Sequence, residues 1–458
     1  MLRKLTIAFA TLIRSTFDVA YAEEMIRQAR SQLLSAEFEL IELSQPITNL
    51  EEVDHAIKQL LDKPIDLLLI FQATFADSTM ITSLSQALQV PLLLWAIPEP
   101  WTGGRLRLNS LCGINLAAHA LTLRDRKFDY CYGSPQDSEI INKIRLLAMA
   151  GSVQRQLRST RLGVVGQHPD GMDSCHLDAP LINNVFGIEI ESIDLQDVFD
   201  RARAIPDQMV AQIRQELDRS LNNLPELDQA ALNGSLRVYR ALFELAYEKG
   251  LSGLAVRCWP EFFTHMGCAA CGAMSLLSDG FMGQAPIPCG CEADINGTIS
   301  QLILQMLSGE PSFGTDMVGI DMNDNLIALW HCGLAPLSMA DPKSPAKGTI
   351  HSNRHLPLLM DFKLKPGLVT YARLSRASGN LRMVIGSGEI IDGPKPFSGT
   401  AGLLKPFLPT ETFLEMLMKE GLEHHISLTY GDFSEELKAL AGIYGLPILW
   451  LNEKEVPQ

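Results

Sequence analysis

Acidic side chains and a histidine follow strand-like runs in the middle of the chain. Because the carboxyl ends of parallel strands meet at one edge of an open α/β sheet, where ligands bind, these groups are expected to converge. Carboxylate oxygens together with imidazole favour Mn²⁺ or Mg²⁺ over an ion that prefers thiolates. The candidates are Glu261 after Leu254–Trp259, Glu292 and Asp294 after Pro286–Cys291, and His331 at the end of Leu326–His331.

Glu292 and Asp294 would point to the same side of an extended backbone, because side chains alternate along a strand.

Two neighbouring histidines near the end of the chain add nitrogen ligands to this set. His424 and His425 stand after a helical pattern, at the head of the strand-like run His425–Tyr430. A ligand from there would close a cleft between the central and C-terminal domains, and such clefts are common small-molecule sites.

Each candidate also has an ordinary structural explanation. A carboxylate that precedes a helix, as Asp294 does, is a common helix cap. Glu261 follows Pro260 and would suit a solvated loop, whereas His331 on an apolar strand would suit a hydrogen-bonded core histidine. Because all of these explanations would have to hold at once, the combination favours a metal site.

Four cysteines offer a rival metal site. Cys268 and Cys271 form a C-x2-C pair, and Cys289 and Cys291 form a C-x-C pair, a pattern that can hold structural zinc. However, the first pair lies in the small, apolar run Gly267–Met274, which predicts a helix. Free cysteine packs well there as a small hydrophobic side chain, so we favour packing over zinc.

The composition is that of an ordinary folded protein. The chain has 458 residues, with 47% hydrophobic and 20% charged side chains, and this excludes a disordered chain. Its formal net charge of −15 argues against nucleic acid as a partner, because phosphate contacts need clustered Lys and Arg. The nine cysteines, an odd number in a large chain, fit a reducing cytoplasm better than a disulfide scaffold.

Neither a membrane span nor a signal peptide is expected. No uncharged apolar run approaches the length of about 18 residues that a spanning helix needs. The apolar stretch within Met1–Ile13 is followed at once by Arg14 and Asp18, without a small-residue cleavage site. We therefore interpret Leu5–Ala10 as a first β-strand.

Alternation of strand-like and helix-like runs predicts parallel sheets in the first two thirds of the chain. The predicted fold class is α/β, with two Rossmann-like or flavodoxin-like doubly wound domains followed by a smaller β-rich, barrel-like domain. For the first sheet we predict the strand order 2-1-3-4-5. Leu326–His331 is assigned to the second sheet, and the short strands after residue 341 to the barrel-like domain. The predicted domains are residues 1–158, 159–340 and 341–458.

Four runs that contain the candidates carry a shared resemblance. They are Arg257-Cys-Trp-Pro-Glu261, Cys291-Glu-Ala-Asp294-Ile-Asn-Gly-Thr, Leu329-Trp-His331-Cys-Gly and Glu423-His-His-Ile-Ser-Leu-Thr-Tyr-Gly431-Asp432. Together they resemble the L-fucose isomerase and L-arabinose isomerase superfamily. The resemblance implies an aldose–ketose isomerase with bound Mn²⁺, although Mg²⁺ or another divalent cation would also suit such ligands.

The resemblance also assigns roles to individual residues. It implies that Glu261 and Asp294 bind the metal and act as the acid–base pair, and that His425, or its neighbour His424, is the histidine ligand. His331 would be a further ligand or a substrate contact. The reaction would pass through a cis-enediol, with the cation stabilising its charge and carboxylates moving the proton.

The identity of the sugar is left open between a pentose, a 6-deoxyhexose and a 6-sulfonated hexose. Arg14, Arg105 or Arg107 would suit a charged C6 group, and otherwise they are surface arginines. Trp101 and Trp259 would stack on a sugar, with His424 as a further contact. The family also implies a homo-oligomer, a trimer or hexamer, in which a neighbouring subunit completes the active site.

Two other functions remain open on the same residues. A non-catalytic sugar-binding or regulatory protein would use the same scaffold, since fold does not fix function. An aldolase or epimerase would share the enediolate chemistry. The cluster of acids and histidines favours an isomerase, because a pure binding protein has no need of it.

Overall fold

A computed structural model describes residues 4–453, which form two compact units. The N-terminal unit contains the described residues up to Leu157 together with Glu435–Gly445. The C-terminal unit contains Arg158–Ser434 and the described residues from Leu446 onward. No helix in this described part of the chain has the length and hydrophobicity needed to cross a membrane.

The N-terminal unit is built on a parallel sheet. Its strands are β1 (Thr6–Leu12), β2 (Glu39–Glu42), β3 (Leu67–Gln72), β4 (Leu92–Ala96) and β5 (Asp129–Tyr132). They lie in the order β2-β1-β3-β4-β5, which confirms the predicted order. Alternate residues of β3 enter two separate hydrophobic clusters, because helices cover both faces of the sheet. The helices are α1 (Val19–Ser35), α2 (Leu50–Leu60), α3 (Ser78–Ala87), α4 (Ser110–Thr122) and α5 (Ser138–Leu157).

The C-terminal unit starts with a second, smaller parallel sheet. Its strands are β6 (Arg161–Val165), β7 (Glu189–Ile193), β8 (Gly253–Val256) and β9 (Cys289–Cys291), in the order β7-β6-β8-β9. Gly250 and Gly309, both in the left-handed conformation, end the two long helices of this unit, Gln229–Lys249 and Ile295–Ser308. The helices are α6 (Ala179–Phe186), α7 (Leu195–Ala204), α8 (Asp207–Leu217), α9 (Gln229–Lys249), α10 (Cys271–Asp279) and α11 (Ile295–Ser308).

Six antiparallel strands then close into a barrel. They are β10 (Phe313–Asp321), β11 (Leu326–His331), β14 (Gly367–Ser375), β15 (Arg382–Ile391), β16 (Thr400–Pro406) and β17 (His425–Tyr430). The ring runs β16-β11-β10-β17-β14-β15 and closes because β15 also pairs with β16. The remaining elements are β12 (Lys347–Thr349), β13 (Leu359–Lys363), α12 (Thr410–Lys419), α13 (Ser434–Tyr444) and β18 (Ile448–Trp450).

The fold class is confirmed, and two local predictions were wrong. The run Leu326–His331 belongs to the barrel and not to the second parallel sheet, because it pairs with β10 and β16. The helix predicted for the run Gly267–Met274 starts later than expected. A short π-helical turn at Phe262–Met266 ends at Gly267, whose φ of 62° is left-handed, and α10 begins only at Cys271.

Candidate active site

Potential metal ligands of the C-terminal unit converge on the buried ring of His425. It belongs to three overlapping groups, and within each group the ligand atoms lie within 4.8 Å of one another. The groups therefore describe one continuous cluster of acids, imidazoles and a thiol. They are Glu292 with His424 and His425, Asp316 with His331 and His425, and Cys175 with Asp294 and His425.

The barrel register places three members of the cluster on neighbouring strands. Strand β10 lies between β11 and β17, and Asp316 is the register partner of both Trp330 and His425. His331 is the last residue of β11. Pairing of these three neighbouring strands therefore brings one carboxylate and two imidazoles close together. Sequence reasoning missed Asp316 because β10 itself was not predicted.

The parallel sheet contributes Glu292 and Asp294 through a tight turn. Strand β9 ends at Cys291, and Glu292 and Ala293 both have left-handed backbones, with φ of 58° and 56°. The expectation that Glu292 and Asp294 continue the strand was therefore wrong. Non-glycine residues in this conformation cost free energy and are concentrated at functional sites. The turn leaves Asp294 at the N-cap of α11.

Asp294 is both a helix cap and a member of the cluster. Its Oδ1 accepts hydrogen bonds from the Gly297 amide (2.9 Å) and Arg373 Nη2 (3.2 Å). Its Oδ2 accepts from Arg373 Nη1 at 2.7 Å and pairs with His425 Nδ1 at 3.0 Å. Burial opposes ionisation, but Arg373 and His425 outweigh it and hold the pKa of Asp294 well below its usual range. Asp294 is thus an ionised carboxylate with both oxygens occupied.

Arg373 is a buried guanidinium that sequence reasoning also missed. It lies on β14, between Ala372 and Leu374, and its Nε is 3.4 Å from Glu423 Oε2. Burial disfavours its charge, but Asp294 and Glu423 raise the pKa of Arg373 further above its ordinary value. A charged residue inside an otherwise uncharged, largely buried strand was the signal that could have found it.

Asp294 orients His425 so that its second nitrogen is available as a ligand. A carboxylate at Nδ1 fixes the proton there, which leaves the Nε2 lone pair free. That Nε2 atom is 3.4 Å from Asp316 Oδ1 and 3.8 Å from Glu292 Oε2. Asp316 Oδ1 is buried and accepts no hydrogen bond from any described residue. An unpaired carboxylate oxygen beside a free imidazole nitrogen fits a bound cation.

His331 has the opposite arrangement of ring nitrogens. Its Nδ1 accepts a hydrogen bond from the Cys332 amide at 2.9 Å, so the neutral ring carries its proton on Nε2. The ring is therefore suited to donate a hydrogen bond and poorly suited to ligate a metal.

Glu292 is held by side chains and not by backbone amides. Its Oε1 accepts a hydrogen bond from Trp259 Nε1 at 3.2 Å, and its Oε2 lies 3.3 Å from His424 Nε2. Burial opposes ionisation, but the two histidines and Trp259 hold the pKa of Glu292 below its usual range. The hydrogen bond to Glu292 in turn raises the pKa of His424, which is about two-fifths exposed (41%).

A cleft of about 450 Å³ opens onto this cluster. This volume is typical of a small-molecule site, and its lining combines aromatic rings with a few polar groups. Its residues are the carboxylates Glu292 and Asp316, the rings of Trp259, Phe263, Trp330, His331 and His351, the thiols of Cys258, Cys271, Cys291 and Cys332, and the loop residues Ser352, Asn353 and Arg354.

Other predicted site residues lie outside the three ligand groups. Both carboxylate oxygens of Glu261 accept from Arg257 Nε at 2.9 Å, so Arg257 holds this side chain. Arg14 and Trp101 belong to the N-terminal unit. The Arg14 guanidinium lies 5.9 Å from the Phe75 ring centre, and Trp101 is 98% exposed.

The two other candidate arginines have partners within the N-terminal unit. Arg107 Nε forms an ion pair with Asp18 at 2.9 Å. Arg105 Nη2 donates to the Thr16 carbonyl. These contacts use both side chains to fasten one loop to the start of α1.

The rival zinc site is not supported. None of the ligand groups among residues 4–453 contains Cys268, Cys271 or Cys289. Cys268 lies before α10 rather than inside it. Burial raises the pKa of Cys268 and Cys289 to about 12, so both are neutral thiols that pack in the core.

Comparisons with known proteins place this chain in a family. Residues 9–158 match the family model described as fucose/sulfoquinovose isomerase, N-terminal domain. Residues 359–450 match the model described as L-fucose isomerase, C-terminal domain. A protein of Alkalicoccus urumqiensis named sulfoquinovose isomerase is 31% identical over 97% of this chain and 99% of its own. The chain belongs to the fucose and sulfoquinovose isomerase family.

Two further relatives of this isomerase carry the same name. The sulfoquinovose isomerase of Clostridium sp. (strain MSTE9) is 31% identical, and that of Priestia aryabhattai is 30% identical. Each match covers 96% of this chain and 98% of the relative. The predicted superfamily and the predicted enzyme class, an isomerase rather than a non-catalytic binding protein, are confirmed.

Proposed function

We propose that this isomerase interconverts a 6-sulfonated aldohexose and the corresponding ketose. Relatives named sulfoquinovose isomerase match nearly the whole chain, which favours the sulfonated hexose over a pentose or a 6-deoxyhexose. The observation that carries the chemistry is the ring of His425. Asp294 fixes its Nδ1, and its Nε2 faces two carboxylates that line a sugar-sized cleft.

A divalent cation, Mn²⁺ or Mg²⁺, fits the residues at the head of the cleft. Glu292, Asp316 and His425 would hold it, and Asp294 would orient the histidine from behind. The cation would supply positive charge next to the C1 and C2 oxygens, where the enediol intermediate develops negative charge. Cys175 Sγ also lies in the cluster, but burial raises the pKa of this thiol to about 12, and Mn²⁺ and Mg²⁺ prefer oxygen and nitrogen ligands to sulfur.

Proton transfer needs a carboxylate oxygen that reaches C1 and C2 of the sugar, and a metal-binding carboxylate would supply it through its second oxygen. The family resemblance assigns this role to Glu261 and Asp294, and that assignment stays a prediction. The geometry favours Glu292 and Asp316, because both line the cleft. Asp294 has both oxygens occupied, and Glu261 is held by Arg257.

His331 and Trp259 complete the proposed substrate contacts. The Nε2–H of His331 would donate to a sugar oxygen and stabilise negative charge on it. Trp259 would place its ring beside the sugar while its Nε1–H keeps Glu292 in position.

A proton-exchange assay tests the proposal directly. Metal-free protein is incubated in D₂O with a 6-sulfonated hexose, a 6-deoxyhexose or a pentose, with and without Mn²⁺. We expect deuterium at C1 or C2 and migration of the carbonyl, only with Mn²⁺ and fastest with the sulfonated sugar. Absence of exchange with every sugar, in protein shown to bind Mn²⁺, would overturn it.

The same assay on variants separates the two assignments of the acid–base pair. If Glu292 and Asp316 act, Glu292→Gln and Asp316→Asn lose exchange while Glu261→Gln keeps it. The reverse result would support the pair that the resemblance implies.

The proposal also includes a cytoplasmic location and a homo-oligomeric state. All nine cysteines are free, which suits the reducing cytoplasm. The resemblance alone suggests a trimer or hexamer in which a neighbour completes the site. Light scattering of the purified protein tests the oligomer directly.

A further inference from the structure

The cleft of the C-terminal unit contains a guanidinium group that forms no ion pair with a described acid. Arg354 lines the same cavity as Glu292 and Asp316. The ion pairs of the described residues include none with Arg354, whereas Glu292 and Asp316 each face a histidine. A guanidinium that faces a binding cleft without a protein carboxylate is free to bind an anion from solution.

The loop that carries Arg354 is held by its own hydrogen bonds. The His351 amide donates to the Leu356 carbonyl at 3.0 Å, and the His355 amide donates to the His351 carbonyl at 2.8 Å. The Asn353 amide donates to His351 Nδ1 at 3.2 Å. The backbone on both sides of Arg354 is thus fixed, although the side chain itself is exposed.

Phe263 supports this loop from within the cleft. Its ring packs edge-on against His351, with ring centres 5.2 Å apart, and lies 6.0 Å below the Arg354 guanidinium carbon. Burial and the charge of Arg354 lower the pKa of His351, so this ring is neutral near pH 7. It adds a hydrogen-bond donor at Nε2 and leaves the positive charge to Arg354.

We propose that Arg354 binds the sulfonate at C6 of the sugar and so determines the specificity of this enzyme. The inference rests on the proposed function. A guanidinium presents a planar fork of N–H donors that matches two oxygens of an oxyanion, whereas an ammonium is a point charge. Arg354 is the one arginine among the described residues that line this cleft, so it is the group that can distinguish a sulfonated hexose from an uncharged one.

The other arginines around the site are already committed. Arg373 is buried against Asp294, and Arg257 holds Glu261. Arg376 Nη2 forms an ion pair with Asp178 at 3.1 Å. Binding a sulfonate at any of these would require breaking an existing ion pair, and Arg354 needs no such exchange.

The test uses three variants that differ in the charge, the shape or the position of the altered side chain. Arg354→Gln removes the charge, Arg354→Lys keeps the charge but loses the fork, and Lys405→Gln removes an exposed positive charge on β16 as the matched control. For the sulfonated hexose we expect KM to rise about 10- to 100-fold in R354Q, less in R354K and not at all in K405Q. Turnover of the sulfonated hexose by K405Q should equal that of the wild type.

A binding measurement without turnover separates this inference from the proposed function. Calorimetry compares a 6-sulfonated hexitol with the plain hexitol. Preferential binding of the sulfonated hexitol that disappears in R354Q supports the role of Arg354, even if the wild-type protein isomerises no sulfonated sugar. Equal binding of both hexitols to the wild type, or an unchanged preference in R354Q, would overturn it, even if the enzyme isomerises the sulfonated sugar.

Discussion

A glutamate stands beyond the carboxyl end of a parallel strand in each unit, yet the two carboxylates have different partners. Glu99 follows β4, and it accepts hydrogen bonds from the backbone amides of Arg107, Leu108 and Asn109. Glu292 follows β9, and its partners are the side chains of Trp259 and His424. The topological position of a carboxylate is therefore a weak guide to its role. Its partners decide whether it fastens a loop or serves a reaction.

Replacing each glutamate by glutamine should separate these roles most strongly. We expect Glu292→Gln to lower kcat/KM by about 10³-fold or more, roughly 4 kcal/mol of transition-state stabilisation. Glu99→Gln should mainly lower the free energy of unfolding, by about 1–3 kcal/mol, because three amides lose a charged acceptor. Steady-state kinetics and urea unfolding of both variants make the comparison. A large loss of kcat/KM in Glu99→Gln, with little loss in Glu292→Gln, would contradict these two roles.

Two buried aspartates extend the comparison to stability. Asp66 in the N-terminal unit pairs with Arg155, and Asp294 pairs with Arg373. Asp294→Ala leaves a buried guanidinium without its main partner and should cost about 3 kcal/mol, the low end of the range, because Glu423 remains nearby. Asp66→Ala should cost less, since Arg155 is one-quarter exposed (25%) and can reach water.

Activity distinguishes the same two aspartates. Asp294→Asn, which keeps the size of the side chain, should still lose activity, because a neutral amide holds the Nδ1 proton of His425 less firmly. Asp66→Asn should keep it. Chemical denaturation with catalytic assays on the four variants gives both readouts. Retained activity in Asp294→Asn would refute its positioning role.

Metal binding should stabilise one unit selectively. At a concentration of Mn²⁺ 100 times its Kd, the stabilisation is about 2.7 kcal/mol if the ion binds only the folded state. Hydrogen exchange should therefore slow in β10 and β17, which carry Asp316 and His425, and at the end of β9, which Glu292 follows, and remain unchanged in β1–β5. His425→Ala should abolish the difference between protein with Mn²⁺ and protein with chelator. Equal protection of both parallel sheets would argue against the assigned ligands.

Local patterns were sufficient to predict much of this architecture. The order of the first parallel sheet, the acidic residues after β9 and the histidine pair before β17 all depend on neighbours in sequence. The helix cap at Asp294 was also visible, since it precedes a run of helical periodicity. These features need only strand direction and alternation, which are properties of short segments.

The cluster itself depends on contacts between distant parts of the chain. Asp316 becomes a neighbour of His425 only through the barrel register, and Arg373 reaches Asp294 across 79 positions of sequence. The assignment of His331 to a parallel sheet was wrong for the same reason, because the apolar pattern of a run does not determine which strands it pairs with. The left-handed turn at Glu292 and Ala293 gave no sequence signal, because neither residue is glycine.

The smallest expected effect concerns the thiol in the cluster. Burial raises the pKa of Cys175 to about 12, and the carboxylates of Asp294 and Glu292 act in the same direction. Without a bound ion Cys175 therefore stays protonated near pH 7, and Mn²⁺, which prefers oxygen and nitrogen ligands, gains little by displacing that proton. Cys175→Ser should change the Kd for Mn²⁺ by less than about twofold, within a few tenths of a kcal/mol.

Cysteine alkylation provides the matching comparison between the two units. Burial also raises the pKa of Cys131 in the N-terminal unit to about 12, whereas Cys112 is exposed. Iodoacetamide at pH 8 should therefore label Cys112 first and leave Cys131 and Cys175 unlabelled in the folded protein, as peptide mass spectrometry would show. Rapid labelling of Cys175 that Mn²⁺ blocks would instead identify a thiolate ligand. The site would then be a mixed sulfur, nitrogen and oxygen centre, which softer ions such as zinc prefer.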